Sequence, residues 1–222
     1  MELNPLFLQH VAASYDKQMA LGDLIGGSDW QFDMGTQSLT FGSKIRFKIQ
    51  VIGTESTHSY TWLWGWANEA SGIPAPMLRV SEALRNFGQK NSVREFTQAN
   101  LPLSDHANGH ILSMIASGLC NGDAYYRGPY DGGALFMLIR DDHYPHQTIN
   151  PANRVSTLFP QLIATMPVSN HRQAFLHYLE FYLAKISEAG DTITGEFSNK
   201  QVVEARFLPD NRLEGIKTKT MP

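Results

Sequence analysis

The sequence lacks most of the features that would take it out of the class of ordinary soluble proteins. It contains a single cysteine, Cys120, which excludes an intrachain disulfide. Its apolar stretches are much shorter than the roughly 20 residues of a membrane helix. The first residues form neither a basic segment nor an apolar leader. These absences predict no signal peptide, no membrane contact and a location in the reducing cytoplasm.

Charge of one sign is also missing. The chain has 18 basic and 21 acidic residues, a formal net charge of −3, and no run of like charges. Its isoelectric point of about 6.2 is not that of a nucleic-acid-binding protein, so no nucleic-acid partner is expected. Because 42% of the residues are hydrophobic and 18% are charged, the composition is that of a folded globular protein.

No catalytic or cofactor signature is present. The sequence has no Gly-x-Ser-x-Gly elbow, and the glycines between residues 128 and 133 lack dinucleotide or phosphate-loop spacing. No cofactor is therefore expected, and no residue is assigned a catalytic role.

The hydrophobic patterns alternate between runs of strands and runs of helices. Ile45, Phe47, Ile49 and Val51 alternate with polar residues, which predicts a half-buried strand. The other predicted elements are helices at 3–25, 77–87, 107–119, 151–166 and 170–189, strands at 30–41 and 59–67, a hairpin at 125–140 with a wide loop at 127–133, and a meander at 192–217. This order favours an antiparallel α+β fold. We expect one domain, 1–222, with possible layers 1–140 and 141–222.

Both ends of the chain read as a helix, a glycine stop and a meander. Gly22 precedes the first group of strands, and Gly190 precedes the last. A helix packed on a curved meander is the plan of cystatin-like folds, so cystatin-like halves are a possible architecture; two unrelated α+β layers are the alternative.

The most unusual segment is an aromatic strand near residue 64. Period-two spacing puts Trp62, Trp64 and Trp66 on one face, opposite small residues. This face is either part of the core or the wall of a groove for a flat ligand. In the groove interpretation, the hairpin residues Tyr125, Tyr126 and Arg127 are further candidate ligand contacts.

The run Thr61-Trp-Leu-Trp-Gly-Trp-Ala-Asn68 resembles the Trp-x-Trp-x-Trp-Ala-Asn signature of a bacterial family of unknown function. Weaker likeness extends from Trp30 to Ile139. The resemblance implies a shared fold and a bacterial source, and it brings no activity and no assigned residues.

Two polar clusters have the composition of a metal or catalytic site. Asp142, His143 and His146 lie in a loop after a predicted central strand. A second cluster, at the start of a helix, contains Asp105, His106 and His110. A solvated loop and an N-cap at Asp105 are the plainer interpretations. Arg127 and Arg140, which flank the hairpin, have the charge to meet an anionic ligand.

The leading hypothesis is a non-enzymatic module that binds a small ligand or a protein, for example a toxin or effector. The alternative is a metal-dependent or His/Asp-based hydrolase that uses one of the two polar clusters. A third hypothesis is a structural role in a homodimer that covers an edge strand.

Overall fold

The computed structural model describes residues 2–146 and 150–220, and these residues form an antiparallel α+β fold, as predicted. The helices of the described residues are α1 (Leu3–Ile25), α2 (Arg79–Asn91), α3 (Arg94–Thr97), α4 (Gly109–Leu119), α5 (Pro151–Thr165) and α6 (His171–Phe181). The strands are β1 (Trp30–Asp33), β2 (Ser38–Phe41), β3 (Ile45–Ser56), β4 (Thr61–Trp64), β5 (Asn100–Pro102), β6 (Ala124–Tyr130), β7 (Gly133–Ile139), β8 (Lys185–Ala189), β9 (Thr192–Glu196), β10 (Gln201–Phe207) and β11 (Leu213–Thr220).

The described chain divides into two compact units. The first unit comprises residues 2–7 and 17–146, and the second comprises residues 8–16 and 150–220. Among the described residues, no helix is long and apolar enough to cross a membrane.

The first unit is built around β3, the longest strand. The sheet order is β1-β2-β3-β4-β5, and β3 also pairs with β7, which in turn pairs with β6. Phe47, Ile49 and Val51 of β3 are buried, whereas Arg46 and Lys48 are exposed, so the predicted alternation is confirmed. The buried side chains form a core with Phe41 and Leu21.

Helices α2 and α4 cover the strands β3 and β7 of this sheet. Helix α2 buries Val80 and Leu84, as its spacing predicts. Helix α4 is apolar on nearly all sides, and residues 111–117 are all buried. Because α4 is held in the core, its position fixes the polar residues at its two ends, which are His110 at the start and Asn121 after the end.

The second unit has a four-stranded sheet in the order β11-β10-β9-β8. Helix α5 packs on β10 and β11, and α6 packs on β8. The ring of Phe175 lies between those of Phe159 and Phe207, with centroids 5.1 and 5.7 Å away. Asn150 and Asn170 cap α5 and α6, because each side chain accepts a hydrogen bond from a backbone N–H in the first turn of its helix.

Two predicted boundaries are wrong. The helix predicted to reach residue 189 ends at Phe181, because Leu183 adopts a positive φ of 53° and the chain continues as β8. The hairpin has no wide loop: β6 and β7 pair as far as Tyr130 and Gly133, and only Asp131 and Gly132 connect them.

Candidate functional site

The aromatic strand is part of the core of the first unit. Trp62 and Trp64 have no exposed surface. Their rings meet edge to face at 5.3 Å, and Trp64 Nε1 donates to the Glu95 carbonyl. The prediction that these two residues line a ligand groove is therefore wrong.

Trp66 does not share their face, because Gly65–Ala67 forms a 3-10 turn instead of continuing the strand. The Trp66 ring is half-buried, and the Arg85 guanidinium lies 4.3 Å from its centroid. The period-two argument fails at Gly65, where the backbone changes direction.

The hairpin residues lie on two faces of the sheet. The buried Tyr125 faces α4, and its hydroxyl lies 2.9 Å from His110 Nδ1. Tyr126 packs on the other side, against Trp30 and Phe41. The predicted set of Trp62, Trp64, Trp66, Tyr125, Tyr126 and Arg127 therefore does not form one surface.

The predicted metal cluster does not assemble either. His143 Nδ1 lies 3.4 Å from Asp141, and His146 Nε2 lies 3.5 Å from Asp123. Asp142 has neither histidine as a partner. Within residues 2–146 and 150–220, no group of three or more His, Cys, Asp or Glu side chains is arranged to hold a metal ion.

Hydrogen bonds at Asp141 shape this loop. Its carboxylate accepts from the backbone N–H groups of Lys48 and His143. Burial raises the pKa of Asp141, but these donors outweigh burial, so the pKa lies below its usual value. The loop thus closes over the core, where Tyr144 is buried 5.1 Å from the ring of Phe47.

The second predicted cluster is also separated. Asp105 and His106 are exposed, and the cap of α4 is Asn108, whose side chain accepts from the N–H groups of His110 and Ile111. Glu55, at the end of β3, accepts from Gly109 N at 2.5 Å. A carboxylate at this position complements the positive end of the helix.

His110 is therefore part of a hydrogen-bonded group that we call the α4 N-terminal cluster: Glu55, Asn108, Gly109, His110 and Tyr125. Burial lowers the pKa of His110, Glu55 opposes this shift and Arg127 adds to it. Either the Tyr125 hydroxyl or His110 Nδ1 donates the hydrogen bond between them, depending on which ring nitrogen carries the hydrogen. In the tautomer whose Nδ1–H donates to the Tyr125 oxygen, Nε2 keeps a free lone pair.

At the other end of α4, an open cleft of about 560 Å³ lies in the first unit. Three elements and one loop form its walls: β3, the first turns of α2, the end of α4, and the segment after β7. The lining residues are Gln50, Arg79, Val80, Ala83, Leu119, Cys120, Asn121, Arg140 and Asp142. We call it the α2–α4 cleft.

The α2–α4 cleft contains charged side chains that have no ion-pair partner in the described part of the chain. Arg79 is the first residue of α2, and Arg140 follows β7, where its N–H extends the pairing with Lys48. The side chains of both arginines and of Asp142 are exposed to solvent. None of the three forms an ion pair with a described residue. Exposed charged groups without ion-pair partners are available to bind a ligand.

The two helix ends at the cleft carry opposite partial charges. The N-terminal end of α2 is positive and reinforces Arg79, whereas the C-terminal end of α4 is negative. Cys120 caps α4, and Asn121 follows in the left-handed conformation, with φ 50°. Burial raises the pKa of the Cys120 thiol to about 11, although Arg140 opposes this shift.

The second unit has a cleft of about 430 Å³, which differs from the α2–α4 cleft in the ion pairs of its arginines. Its arginines are paired: Arg172 with Glu188, and Arg206 with Asp191 and Glu214. The α2–α4 cleft therefore remains the better candidate for binding a charged ligand.

Sequence reasoning found only part of this site. Arg140 and Asp142 were singled out, but as members of two different groups. Gln50, Arg79 and Asn121 were missed, and so was Glu55 in the α4 N-terminal cluster. No local signal marks them, because their neighbours in space are distant along the chain.

Comparison with known proteins assigns the chain to a family whose function is unknown. The model of a family of unknown function, DUF6882, matches residues 4–142, which is more than half of the chain. The matched range includes every described residue that lines the α2–α4 cleft. No curated protein and no solved structure matches the chain.

Proposed function

We propose a function from the α2–α4 cleft itself, because this chain belongs to DUF6882, a family whose function is unknown. The first unit is a non-enzymatic binding module for a small anionic molecule. The ligand is held by the guanidinium groups of Arg79 and Arg140.

One observation carries this proposal: two arginines line the same cleft, and neither has an acidic partner among the described residues. The planar guanidinium group binds carboxylates and phosphates through two parallel hydrogen bonds. The positive end of α2 adds to the attraction at Arg79. The volume of about 560 Å³ suits a small organic molecule.

The other residues of the cleft favour ligand binding over catalysis. The only thiol, Cys120, has a pKa raised to about 11, so it is protonated and a poor nucleophile at neutral pH. None of the described lining residues is a histidine. The cleft therefore offers groups that hold an anion and lacks an activated group that would attack it.

Isothermal titration calorimetry tests the proposal with a panel of phosphate, citrate and small dicarboxylates. We expect at least one of these anions to bind, and Arg79→Gln and Arg140→Gln each to weaken its affinity by roughly tenfold or more. The matched control is Arg94→Gln, because Arg94 is an exposed arginine of the same unit outside the cleft. The proposal is wrong if no anion binds, or if both cleft variants bind as tightly as the wild type.

A second function, acid–base hydrolysis at His110, is favoured by the α4 N-terminal cluster. When Nδ1–H donates to the Tyr125 oxygen, Nε2 is free to accept a proton, and the lowered pKa keeps the ring neutral near pH 7, as a general base requires. Hydrolysis of a simple activated ester would then fall by at least about a hundredfold in His110→Ala. An unchanged rate in that variant excludes this function.

We propose that the protein acts in the cytoplasm of a bacterium. A single, unpaired cysteine favours a reducing compartment. The resemblance of the tryptophan motif to that of a bacterial family supports a bacterial source.

A further inference from the structure

The α2–α4 cleft carries charges of both signs. Besides the two arginines, its lining includes the carboxylate of Asp142, which forms no ion pair with a described residue although two guanidinium groups line the same cleft. An acid beside an anion site opposes the binding of a simple anion. A positively charged group on the ligand would offset this repulsion.

The helix ends at the cleft also carry partial charges of both signs. The N-terminal end of α2 attracts an acidic group, and the C-terminal end of α4, at Leu119, attracts a protonated amine. Asn121 adds an exposed side-chain amide at the same place. A ligand that fits both helix ends carries both an acid and an amine.

We infer that the ligand of this cleft is an amine-bearing acid of net charge −1, such as an acidic amino acid. Two arginines and one aspartate give the lining side chains a net charge of +1, which this ligand neutralises. The arginines bind its carboxylates, and Asp142 binds its ammonium group. This inference rests on the proposed function, since it assumes that the arginines bind the acid.

Matched pairs of probes test the inference. Glutamate and glutarate differ by one amino group, as do aspartate and succinate. We expect the wild type to bind the better amino acid of the two about five- to tenfold more tightly than its dicarboxylate partner, as measured by titration calorimetry. In Asp142→Asn this preference disappears, while the affinity for the dicarboxylate is unchanged or rises.

Asp131→Asn is the matched control, because Asp131 is exposed on the hairpin turn and lies outside the cleft. This variant keeps the preference. If the dicarboxylates or inorganic phosphate bind as tightly as the amino acids, or if Asp142→Asn retains the preference, the inference is overturned and the proposed function stands. If no probe binds, both are overturned.

Discussion

At the scale of single residues, the most informative side chain is Cys120, which lines the α2–α4 cleft and is the only cysteine of the chain. With a pKa of about 11, roughly 0.1% of the thiol is ionised at pH 8, against about a quarter for a free cysteine. Because this ionised fraction is about 250-fold smaller, we expect alkylation by iodoacetamide at pH 8 to be slowed by about two to three hundredfold relative to a free thiol. The rate should keep rising as the pH approaches 11.

Mass spectrometry of the intact protein measures this rate, because each chain takes up one label. The same sample unfolded in urea is the control, and it should react as a free thiol does. Rapid alkylation of the folded protein at pH 8 would contradict the raised pKa of Cys120.

His110 makes the stability of the first unit depend on pH. Its pKa in the folded state lies below the ordinary value of 6.5, so the unfolded chain binds more protons as the pH falls below 6.5. The folded state therefore loses stability in this range, until the folded pKa is passed. We expect His110→Gln to lose less stability than the wild type between pH 7.5 and pH 5.

Urea unfolding at each pH measures the difference. His171, whose pKa is also lowered by burial, is present in both proteins and cancels in the comparison. Parallel stability profiles for the wild type and His110→Gln would contradict the account of the α4 N-terminal cluster.

At the scale of elements, a buried ion pair connects the helical parts of the second unit. Asp16 accepts hydrogen bonds from Arg154 Nε at 2.6 Å and from the hydroxyls of Tyr178 and Tyr182, each at 2.5 Å. Its side chain is only 4% exposed. Burial and the neighbouring Asp16 raise the pKa of Tyr178, which therefore stays protonated as a donor.

Removing this carboxylate should strongly destabilise the unit. Asp16→Ala leaves a buried guanidinium and two hydroxyls without their acceptor, and we expect a loss of about 3–5 kcal/mol in the free energy of unfolding. Asp191→Ala removes an exposed partner of Arg206 and should change stability little. Thermal and urea unfolding compare the two variants, and equal effects would mean that the buried pair has no special importance.

Elements with strong periodicity were predictable from sequence, and elements set by distant contacts were not. The alternation in β3 and the stripe in α2 identify their buried faces, since each pattern reflects local geometry. Strand β8 was missed because apolar Ile186 fits a helical stripe equally well. Only the left-handed conformation at Leu183 separates it from α6.

The same limit applies to the site. Trp62 and Trp64 stand out in the sequence because they are large and closely spaced, yet they are entirely buried. Arg79 looks like any surface arginine, and it becomes notable only when the fold brings Arg140 to the same cleft. Sequence therefore identified the core motif and missed the grouping of charges.

At the scale of the whole molecule, the two units present different kinds of surface. The sheet of the second unit carries ion pairs whose charges satisfy each other, such as Glu204 with Lys217 and Lys219. In the first unit, the charges of the α2–α4 cleft have no such partners among the described residues. The family match, which ends at residue 142, includes this cleft.

The central claim is that Arg79 and Arg140 together hold the ligand, and the most direct test is a nuclear magnetic resonance titration of the arginine side chains. The Nε–Hε signals are assigned with Arg79→Gln, Arg140→Gln and Arg94→Gln, and glutamate or the best-binding anion of the panel is added to the wild type. We predict that the signals of Arg79 and Arg140 shift together with one saturation curve, while that of Arg94 stays in place. No shift, or shifts only at arginines outside the cleft, would contradict the claim.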